Sequence, residues 1–576
     1  MKTRRSFSVT DLGRFPNRSA VWPCISVGGE SNVEGQRSKG GGHRGRNRFR
    51  LSPLGLRLLF FRFATPGHRI CVAVALLLTA FAHRAWADWP QWGRDPSKNM
   101  VSPAAASLPG DFHPGDFKGR SDEIDLAAAR HVRWVAKLGS NSYGNPTVAG
   151  GRVYVGTNNA SPRDEKYKGD RSNVYCLDEQ TGSLIWQFSA PKLGAGKVGD
   201  WEYLGICSSP SVDGDRVYVV TNRCEVVSLD VAGMVNGNDG PFEAEGEYAA
   251  GPGKPPIPMG PTDADIIWRY DMAKDLMVFP HNVTSSSVLV LGDRVYVNTS
   301  NGVDYSHKHI INERAPALIV LDKHTGELVG EEASGISTRV YHGNWSSPTA
   351  GMVNGQALIF FGAGDGVCYG FDAVPVPDKE GFGILEERWR FDCVPESYKT
   401  NAGEPIKYGT AKGPSEIIAT PVFHDGRVYV AIGQDPEHGE GNGALSCIDA
   451  SATGDLSKSG PIWRYTDVDR AIATVSVADG LVYIADYAGI VHCLDAETGH
   501  AYWTHDTFGH IWGSTLVADG KVFAGNEDGI LVILEAGKEK KLISEIEFPG
   551  PIYSSPIVAN GTLYVETMMH LFAIGK

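Results

Sequence analysis

A short phrase of alternating apolar residues recurs along this chain and restricts its fold more than any other feature. It reads GRVYV at 151–155 and DRVYV at 215–219, and each copy follows a small-residue segment and a Gly, Asp or Asn turn. Turns of this kind between β-branched and aromatic runs predict antiparallel hairpins. Eight copies occur, at 151–155, 215–219, 293–297, 356–361, 426–430, 480–484, 520–524 and 561–565.

A third strand that ends in Asp follows most copies, and it leads into the pattern D-x-x-T-G-x-x-x-W, as at 174–186. Here Asp178 can cap the turn through the backbone, and Gly182 can take a left-handed conformation. Trp186 then falls on the next strand, where it can pack against a neighbouring unit. The same pattern returns with Asp495, Gly499 and Trp503.

Four-stranded units at this spacing build either a solenoid or a propeller. The ends of the chain favour the propeller. The segment 131–138 is a fourth strand with no unit before it, and the chain finishes on a third strand, HLFAIGK. Together they would complete one sheet and close a ring. The sequence therefore predicts an all-β fold, an eight-bladed β-propeller over residues 131–576, which we expect to be a monomer.

The first 87 residues have a different character, with 15 Lys and Arg against three acidic residues. Residues 1–68 predict a disordered basic leader or a start codon placed too early. Residues 69–87 show the order of a secretory signal, with Arg69, an apolar run at 70–82 and AWA at 85–87, so we expect cleavage after Ala87 and export to the periplasm or beyond. The apolar run is too short for a transmembrane anchor.

The charge of the remaining chain argues against polyanionic partners. The whole sequence has a net charge of −13, and without the basic leader it is about −25. This balance disfavours nucleic acid and anionic membrane surfaces. Cys207 and Cys224 are near enough in sequence to pair, whereas Cys176, Cys447 and Cys493 precede the Asp of separate repeats and are expected to be buried thiols.

The Asp, Thr-Gly and Trp repeats, the count of eight and the segment DWPQWGRDPSKNMVSP at 88–103 resemble the pyrroloquinoline-quinone (PQQ) type propellers. This superfamily includes the quinoprotein alcohol dehydrogenases and a non-enzymatic outer-membrane assembly lipoprotein. The resemblance covers residues 88–576, with 88–130 as an N-terminal segment. It is specific for the fold and weak for the chemistry, because both branches share the repeat.

Chemistry in such a ring is expected on the face where the loops between second and third strands meet the loops that precede the inner strands. Successive copies are 54–78 residues apart as far as the sixth and then 40 and 41, so the first five blades carry insertions. Insertions on one side of a ring predict a lid or a surface for a partner.

The resemblance implies a set of candidate residues on this face. Asn301 occupies the position of a Ca²⁺ amide ligand in the dehydrogenases, and neighbouring carboxylates would complete the site. Trp can stack on a quinone and Arg can pair with its carboxylates. The candidates are Asn301, Asp304 and Asp365 for Ca²⁺; Trp512, Trp345, Arg470, Arg223 and Asn344 for PQQ; and His342 as a base. The alternative is that each Asp forms its turn and each Trp packs between blades.

The dehydrogenase pattern is incomplete in this sequence. The stretch YHGNWSSP at 341–348 has no Asp or Glu where the catalytic carboxylate is expected, and an adjacent Cys pair and a CxxCH haem motif are both absent. Two hypotheses follow. The favoured one is a non-catalytic binding or scaffold propeller of the envelope that holds a protein or glycan on its inserted face. The alternative is a PQQ- and Ca²⁺-dependent periplasmic oxidoreductase.

Overall fold

The structure is a computed structural model, and it describes residues 88–103, 107–410, 413–437 and 441–576. The predicted leader over 1–68 and the predicted signal over 69–87 lie outside the described residues. In the part of the chain that is described, no helix has the length and apolar character needed to cross a bilayer.

The described chain forms eight sheets of four antiparallel strands in chain order, which confirms the eight-bladed propeller. The strands of blades 1 to 4, from the inner to the outer, are Thr147–Ala149, Arg152–Asn158, Arg171–Asp178 and Leu184–Pro191; Ser211–Asp213, Arg216–Val220, Glu225–Asp230 and Ile266–Asp271; Leu289–Leu291, Arg294–Asn298, Leu318–Asp322 and Leu328–Glu332; Thr349–Val353, Gln356–Gly362, Val367–Asp372 and Glu387–Asp392.

Blades 5 to 8 follow the same plan. Their strands are Val422–His424, Arg427–Ile432, Ala444–Asp449 and Trp463–Tyr465; Ser476–Ala478, Leu481–Ala485, Ile490–Asp495 and Ala501–Asp506; Leu516–Ala518, Lys521–Gly525, Ile530–Glu535 and Leu542–Glu547; Ile557–Ala559, Thr562–Glu566, His570–Ile574 and Val132–Lys137. The outer strand of blade 8 thus comes from the start of the propeller and pairs antiparallel with the last strand of the chain.

Short elements decorate the blades. Three blades are extended by short strands, which are Val101–Ser102 on blade 7, Val376–Pro377 with Gly383–Leu385 on blade 3, and Gly454–Asp455 on blade 4. Two separate two-stranded ribbons are formed by Asp116–Phe117 with Ile124–Asp125 and by Thr400–Asn401 with Glu404–Pro405. The α-helices are single turns or little more, at Gly196–Gly199, Glu245–Ala250 and Met272–Asp275. The 3-10 helices are Leu126–Ala128, Gly233–Asn236, Ile336–Thr338 and Glu396–Tyr398.

The small residues that precede each inner strand join the blades around the axis. Ser209 donates its backbone N–H to Ser287 Oγ, and Ser287 in turn donates to Ser347 Oγ. The same bond recurs at five further joints, with the pairs Thr420 and Thr474, Thr474 and Ser514, Ser514 and Ser555, Ser555 and Asn145, and Asn145 and Ser209. Ser346 Oγ donates to the Ala419 carbonyl at the remaining joint. A short hydroxyl side chain fits the crowded axis and satisfies a buried N–H, which explains why SS, AT or ST recurs there. We call these joined residues the Ser/Thr ring, in which Asn145 takes the place of the hydroxyl residue in blade 1.

The outer strands are joined by tryptophan. In six blades the indole N–H of the outer strand donates to a backbone carbonyl of the next blade, in the pairs Trp134 and Glu179, Trp186 and Val231, Trp268 and Lys323, Trp389 and Ala450, Trp463 and Ala496, and Trp503 and Gly537. Gly182 and Gly499 take the left-handed conformation, with φ of 70° and 72°, so the predicted turns are confirmed. Asp178 and Asp495 accept the turn N–H groups of their own loops.

The segment 88–103 lies against the inner strands rather than beside the ring. It bonds in succession to one residue on each of six inner strands, which are Val148, Val212, Ala350, Phe423, Val477 and Val517. Trp89, Lys98 and Met100 are fully buried within it. These residues each lie three positions beyond the Ser/Thr ring, or about 10 Å along the strand. The segment therefore lines the channel below that ring.

The cysteines of the described residues are all free thiols, and six of the seven are buried. Cys176, Cys447 and Cys493 are buried as predicted. Cys207 and Cys224 do not pair: Cys224 Sγ instead contacts the Thr299 carbonyl in blade 3.

Candidate functional site

Two groups of side chains lie at the mouth of the channel, above the Ser/Thr ring, on loops that precede inner strands or join second to third strands. One group belongs to blades 3 to 5 and is rich in histidine. The other belongs to blades 6 to 8 and blade 1 and is aromatic. The two groups share one face because these loops occupy equivalent positions in successive blades.

The histidine group is built around His281, His307 and His342. One ring nitrogen of each lies within 4.8 Å of those of the other two. The ring of His281 lies 4.2 Å from that of His342 and 4.8 Å from that of His307, measured between centroids. His281 and His342 are buried and precede the inner strands of blades 3 and 4, whereas His307 is exposed on the 299–317 loop.

Neighbouring groups fix both buried imidazoles. His281 Nδ1 lies 2.7 Å from the Val303 carbonyl oxygen. The indole N–H of Trp345 donates to the backbone carbonyl of His281 at 3.1 Å, and its ring lies edge-on to His342 with centroids 5.1 Å apart. Trp345 is only 8% exposed. It therefore supports the histidines and offers no open face to a planar ligand.

A tyrosine and a glutamate from the insertion between blades 4 and 5 complete the group. Tyr408 Oη lies 3.2 Å from His342 Nδ1 and donates to Glu416 Oε1 at 2.5 Å. Asp435 Oδ2 lies 3.9 Å from His342 Nδ1. Burial raises the pKa of Glu416 well above its ordinary value, and burial likewise raises the pKa of Tyr408. Sequence reasoning missed His307, Tyr408 and Glu416, because all three lie in inserted loops that follow no repeat.

The aromatic group surrounds Trp512 in blade 7. Trp512 meets Tyr487 and Tyr553 edge to face, with centroids 5.4 Å apart in both cases. Tyr143 of blade 1 stacks on Tyr553 at 5.2 Å, and the Arg470 guanidinium lies 4.1 Å above the Tyr487 ring. All five side chains are half-buried. His510 stacks on Tyr487 at 4.4 Å from an exposed position, and the indole N–H of Trp512 donates to Glu527 Oε2.

The amide predicted to bind a cation is bonded within the protein. Asn301 Oδ1 accepts the Phe279 N–H, and Asn301 Nδ2 donates to the Asn312 carbonyl and to Ser337 Oγ. Asn344 links the same region, since it donates to the Asn301 carbonyl and accepts the Gly364 N–H. The structure thus brings Asn301, Asn344, His342 and Trp345 together, and it uses the two amides to hold the loops of blades 3 and 4.

The predicted carboxylates are also engaged by neighbours. Asp365 Oδ2 accepts the Tyr369 hydroxyl at 2.6 Å and pairs with Arg339 at 3.2 Å, and burial raises the pKa of this carboxyl. Asp304 lies on the exposed 299–317 loop, where it accepts the hydroxyl and the N–H of Ser306. The Ser306 hydroxyl bond lowers the pKa of Asp304. Asp365 is thus a paired carboxylate, and Asp304 is a carboxylate that forms its own turn.

Arg223 lies in neither group at the mouth. It pairs with the buried Glu225 at 3.3 Å and donates to the Lys192 carbonyl. A cavity of about 480 Å³ opens beside it, between the end of blade 1 and the inserted segment of blade 2. Tyr248 and Arg269 line this cavity, and none of its lining residues belongs to the histidine or aromatic group.

Comparison with known proteins places this architecture in a family. The sequence profile described as outer membrane protein assembly factor BamB matches residues 127–373, 386–506 and 442–542. The chain belongs to this family. Several enzymes also match in part, among them two dehydrogenases. The 1-butanol dehydrogenase (cytochrome c) of Thauera butanivorans is 30% identical over 135 residues, which is 20% of each protein. The quinohemoprotein alcohol dehydrogenase of Comamonas testosteroni is 31% identical over 121 residues, 18% of this chain and 16% of that protein. The match spans a fifth or less of each enzyme.

Solved structures of distant sequence share the propeller of this BamB-family chain. A europium-containing methanol dehydrogenase is 13% identical and superposes with a TM-score of 0.51 over 83% of this chain and 89% of that one. The quinohemoprotein alcohol dehydrogenase ADHIIG of Pseudomonas putida HK5 is 14% identical. It superposes with a TM-score of 0.51 over 86% of this chain and 81% of that one. Identities at this level show a common fold and nothing further about chemistry.

A quinohemoprotein alcohol dehydrogenase matches part of the chain, so the fit of PQQ and Ca²⁺ to these residues has to be examined. A Ca²⁺ ion takes six to eight oxygen ligands. Here the Asn301 amide oxygen accepts a backbone N–H, and Asp365 is held by Arg339 and Tyr369. The two quinone candidates Trp345 and Trp512 lie in different groups, on blades 4 and 7. In this arrangement the predicted residues do not fit a Ca²⁺-quinone site.

Proposed function

We propose that the protein is a non-catalytic binding propeller of the cell envelope, which holds a protein partner at the mouth of its channel. One observation carries the proposal: the half-buried aromatic group around Trp512, capped by the Arg470 guanidinium over Tyr487. Trp, Tyr and Arg are the residues that contribute most of the binding energy at protein interfaces, because they combine large contact areas with a polar end.

The bonding of the other candidates supports a binding role over an oxidoreductase. Asn301, Asn344 and Asp365 hold the loops of the mouth through bonds to one another's blades and to their own turns. Such bonds make a rigid platform, and rigid platforms lose less entropy on binding. The description of the matched family as an outer membrane assembly factor agrees with a scaffold role, and the signal predicted at 69–87 supports an envelope location.

The experiment is site-specific photo-crosslinking in the producing cell. A photoreactive phenylalanine replaces Trp512, and a matched control replaces Tyr502, a half-buried tyrosine on the outer strand of blade 6. We expect a discrete crosslinked protein with the Trp512 probe alone, and we expect Tyr487→Ala to abolish it.

Two results would count against the proposal. Equal crosslinking at both positions would indicate that the aromatic group contacts no specific protein. Binding of purified oligosaccharides by the protein, lost in Trp512→Ala, would instead assign the aromatic group to a glycan, since sugar rings also stack on aromatic faces.

A further inference from the structure

The histidine group has the features of a transition-metal site that no part of the proposed function requires. We propose that His281, His307 and His342 together bind one divalent transition-metal ion that favours imidazole ligands, as Zn²⁺ does. Imidazole nitrogens suit Zn, Cu, Ni and Fe, whereas Ca²⁺ and Mg²⁺ require oxygen ligands. The donor set therefore separates this site from the calcium site expected by resemblance.

The bond made by His281 prepares its ring to bind a metal. A carbonyl oxygen can only accept, so the 2.7 Å contact to Val303 places the imidazole proton on Nδ1. The lone pair is then on Nε2. Metal-bound histidines almost always donate their second nitrogen to a carbonyl or carboxylate in this way, which fixes the tautomer and the ring orientation.

Tyr408 and Glu416 fix the tautomer and the ring orientation of His342 in the same way. Tyr408 donates its hydroxyl hydrogen to Glu416, so its oxygen is left to accept a hydrogen bond from His342 Nδ1 at 3.2 Å. Glu416 is fully buried, and its bond to the Tyr408 hydroxyl fixes the tyrosine oxygen beside His342. Asp435 Oδ2 lies on the same side, 3.9 Å from His342 Nδ1.

The distances place the three rings one small adjustment from coordination. Three nitrogens about 2.0–2.1 Å from a tetrahedral ion are roughly 3.3 Å apart. The three candidate nitrogens lie within 4.8 Å of one another. His281 and His342 are buried in the loops before the inner strands of blades 3 and 4, whereas the side chain of His307 is exposed and can approach them. Three protein ligands leave a fourth position for water or a ligand atom, as in catalytic rather than structural zinc sites.

The experiment measures metal binding by the full, tag-free protein after chelation and dialysis. Zn²⁺ is titrated by calorimetry, and Co²⁺ is added as a spectroscopic substitute. We expect one equivalent of Zn²⁺ to bind and the Co²⁺ protein to show the intense visible absorption of four-coordinate nitrogen ligation. Stoichiometry well below one, or only the weak absorption of six-coordinate Co²⁺, would overturn the proposal.

Variants separate a built site from adventitious surface binding. His307→Ala removes an exposed ligand without disturbing the core, and we expect it to weaken Zn²⁺ binding by at least about 100-fold. The matched control is His324→Ala, an exposed histidine on an outer turn of blade 3. Tyr408→Phe removes the partner of His342 and is expected to weaken binding about 10- to 100-fold. Unchanged affinity in His307→Ala, or an equal loss in His324→Ala, would refute the assignment.

Discussion

The tryptophan on the outer strand of one blade packs against the Thr-Gly turn of the next blade, and two glycines of blade 6 allow this contact to be tested. Gly499 and Gly480 both have positive φ, of 72° and 74°. A Cβ at Gly499 would lie 2.6 Å from Cε3 of the Trp463 ring, whereas at Gly480 it would meet nothing within 4 Å. Ala at either position is therefore expected to strain the backbone equally. Only Ala at position 499 would also clash with the Trp463 ring.

The expected magnitudes follow from this difference. An Ala at positive φ costs about 1–2 kcal/mol, so Gly480→Ala should lower the free energy of unfolding by that amount. Gly499→Ala adds overpacking of about 1–3 kcal/mol, since the indole is held by its bond to Ala496 and cannot turn away. We expect Gly499→Ala to lower the free energy of unfolding by about 2–5 kcal/mol in all.

The assay is equilibrium urea unfolding followed by tryptophan fluorescence and circular dichroism. A second background, Trp463→Leu, tests the origin of the difference, because a smaller side chain should relieve the clash and leave the Gly499→Ala variant no worse than Gly480→Ala. Equal losses for the two glycine variants in the natural background would refute the view that this turn is packed against the tryptophan of the preceding blade.

Three further outcomes are expected. Burial lowers the pKa of Lys98 from 10.5 to about 7, so the unfolded chain binds this proton more tightly than the folded one between these values, and the contribution of Lys98 to stability rises as pH increases from 7 to 10.5; the urea midpoint of the natural protein should therefore rise relative to that of Lys98→Met over this range. Burial raises the pKa of Cys207 to about 12, so thiol reagents should leave Cys207 and Cys224 unmodified until the protein unfolds, and a peptide linking the two would contradict the structure. Calorimetric titration with PQQ should show no Ca²⁺-dependent heat; binding that weakens in both Asn301→Ala and Trp512→Ala would restore the quinoprotein hypothesis.

The strands were predictable because their signals are local and repeat. The fourth copy, QALIFF at 356–361, lacks the common VY pair, yet its apolar alternation forms Gln356–Gly362 and pairs on both sides like the others. The left-handed Gly182 follows from the turn pattern in the same way. The path of 88–103 through the channel was not predictable, since its bonds join residues that are far apart in sequence, in some cases by more than 300 positions, as for Asn99 and Val477.

The candidate site was predictable only in part. His281 and His342 each lie a few residues before an inner strand, so the repeat places both on one face. Their contact with His307, Tyr408 and Glu416 depends on the conformations of two insertions. Those loops have no period and no motif, so the distances between their side chains are set by tertiary packing alone.

The pairing of Val132–Lys137 with His570–Ile574 has a consequence for how the protein is made. While the ribosome is still producing the last blade, the edge of Val132–Lys137 that later pairs with His570–Ile574 is unpaired. Edges of this kind recruit other chains. Contacts between residues more than 400 positions apart also form slowly. Loss of the last few residues, by premature termination or by proteolysis, should therefore yield aggregation rather than a slightly smaller propeller.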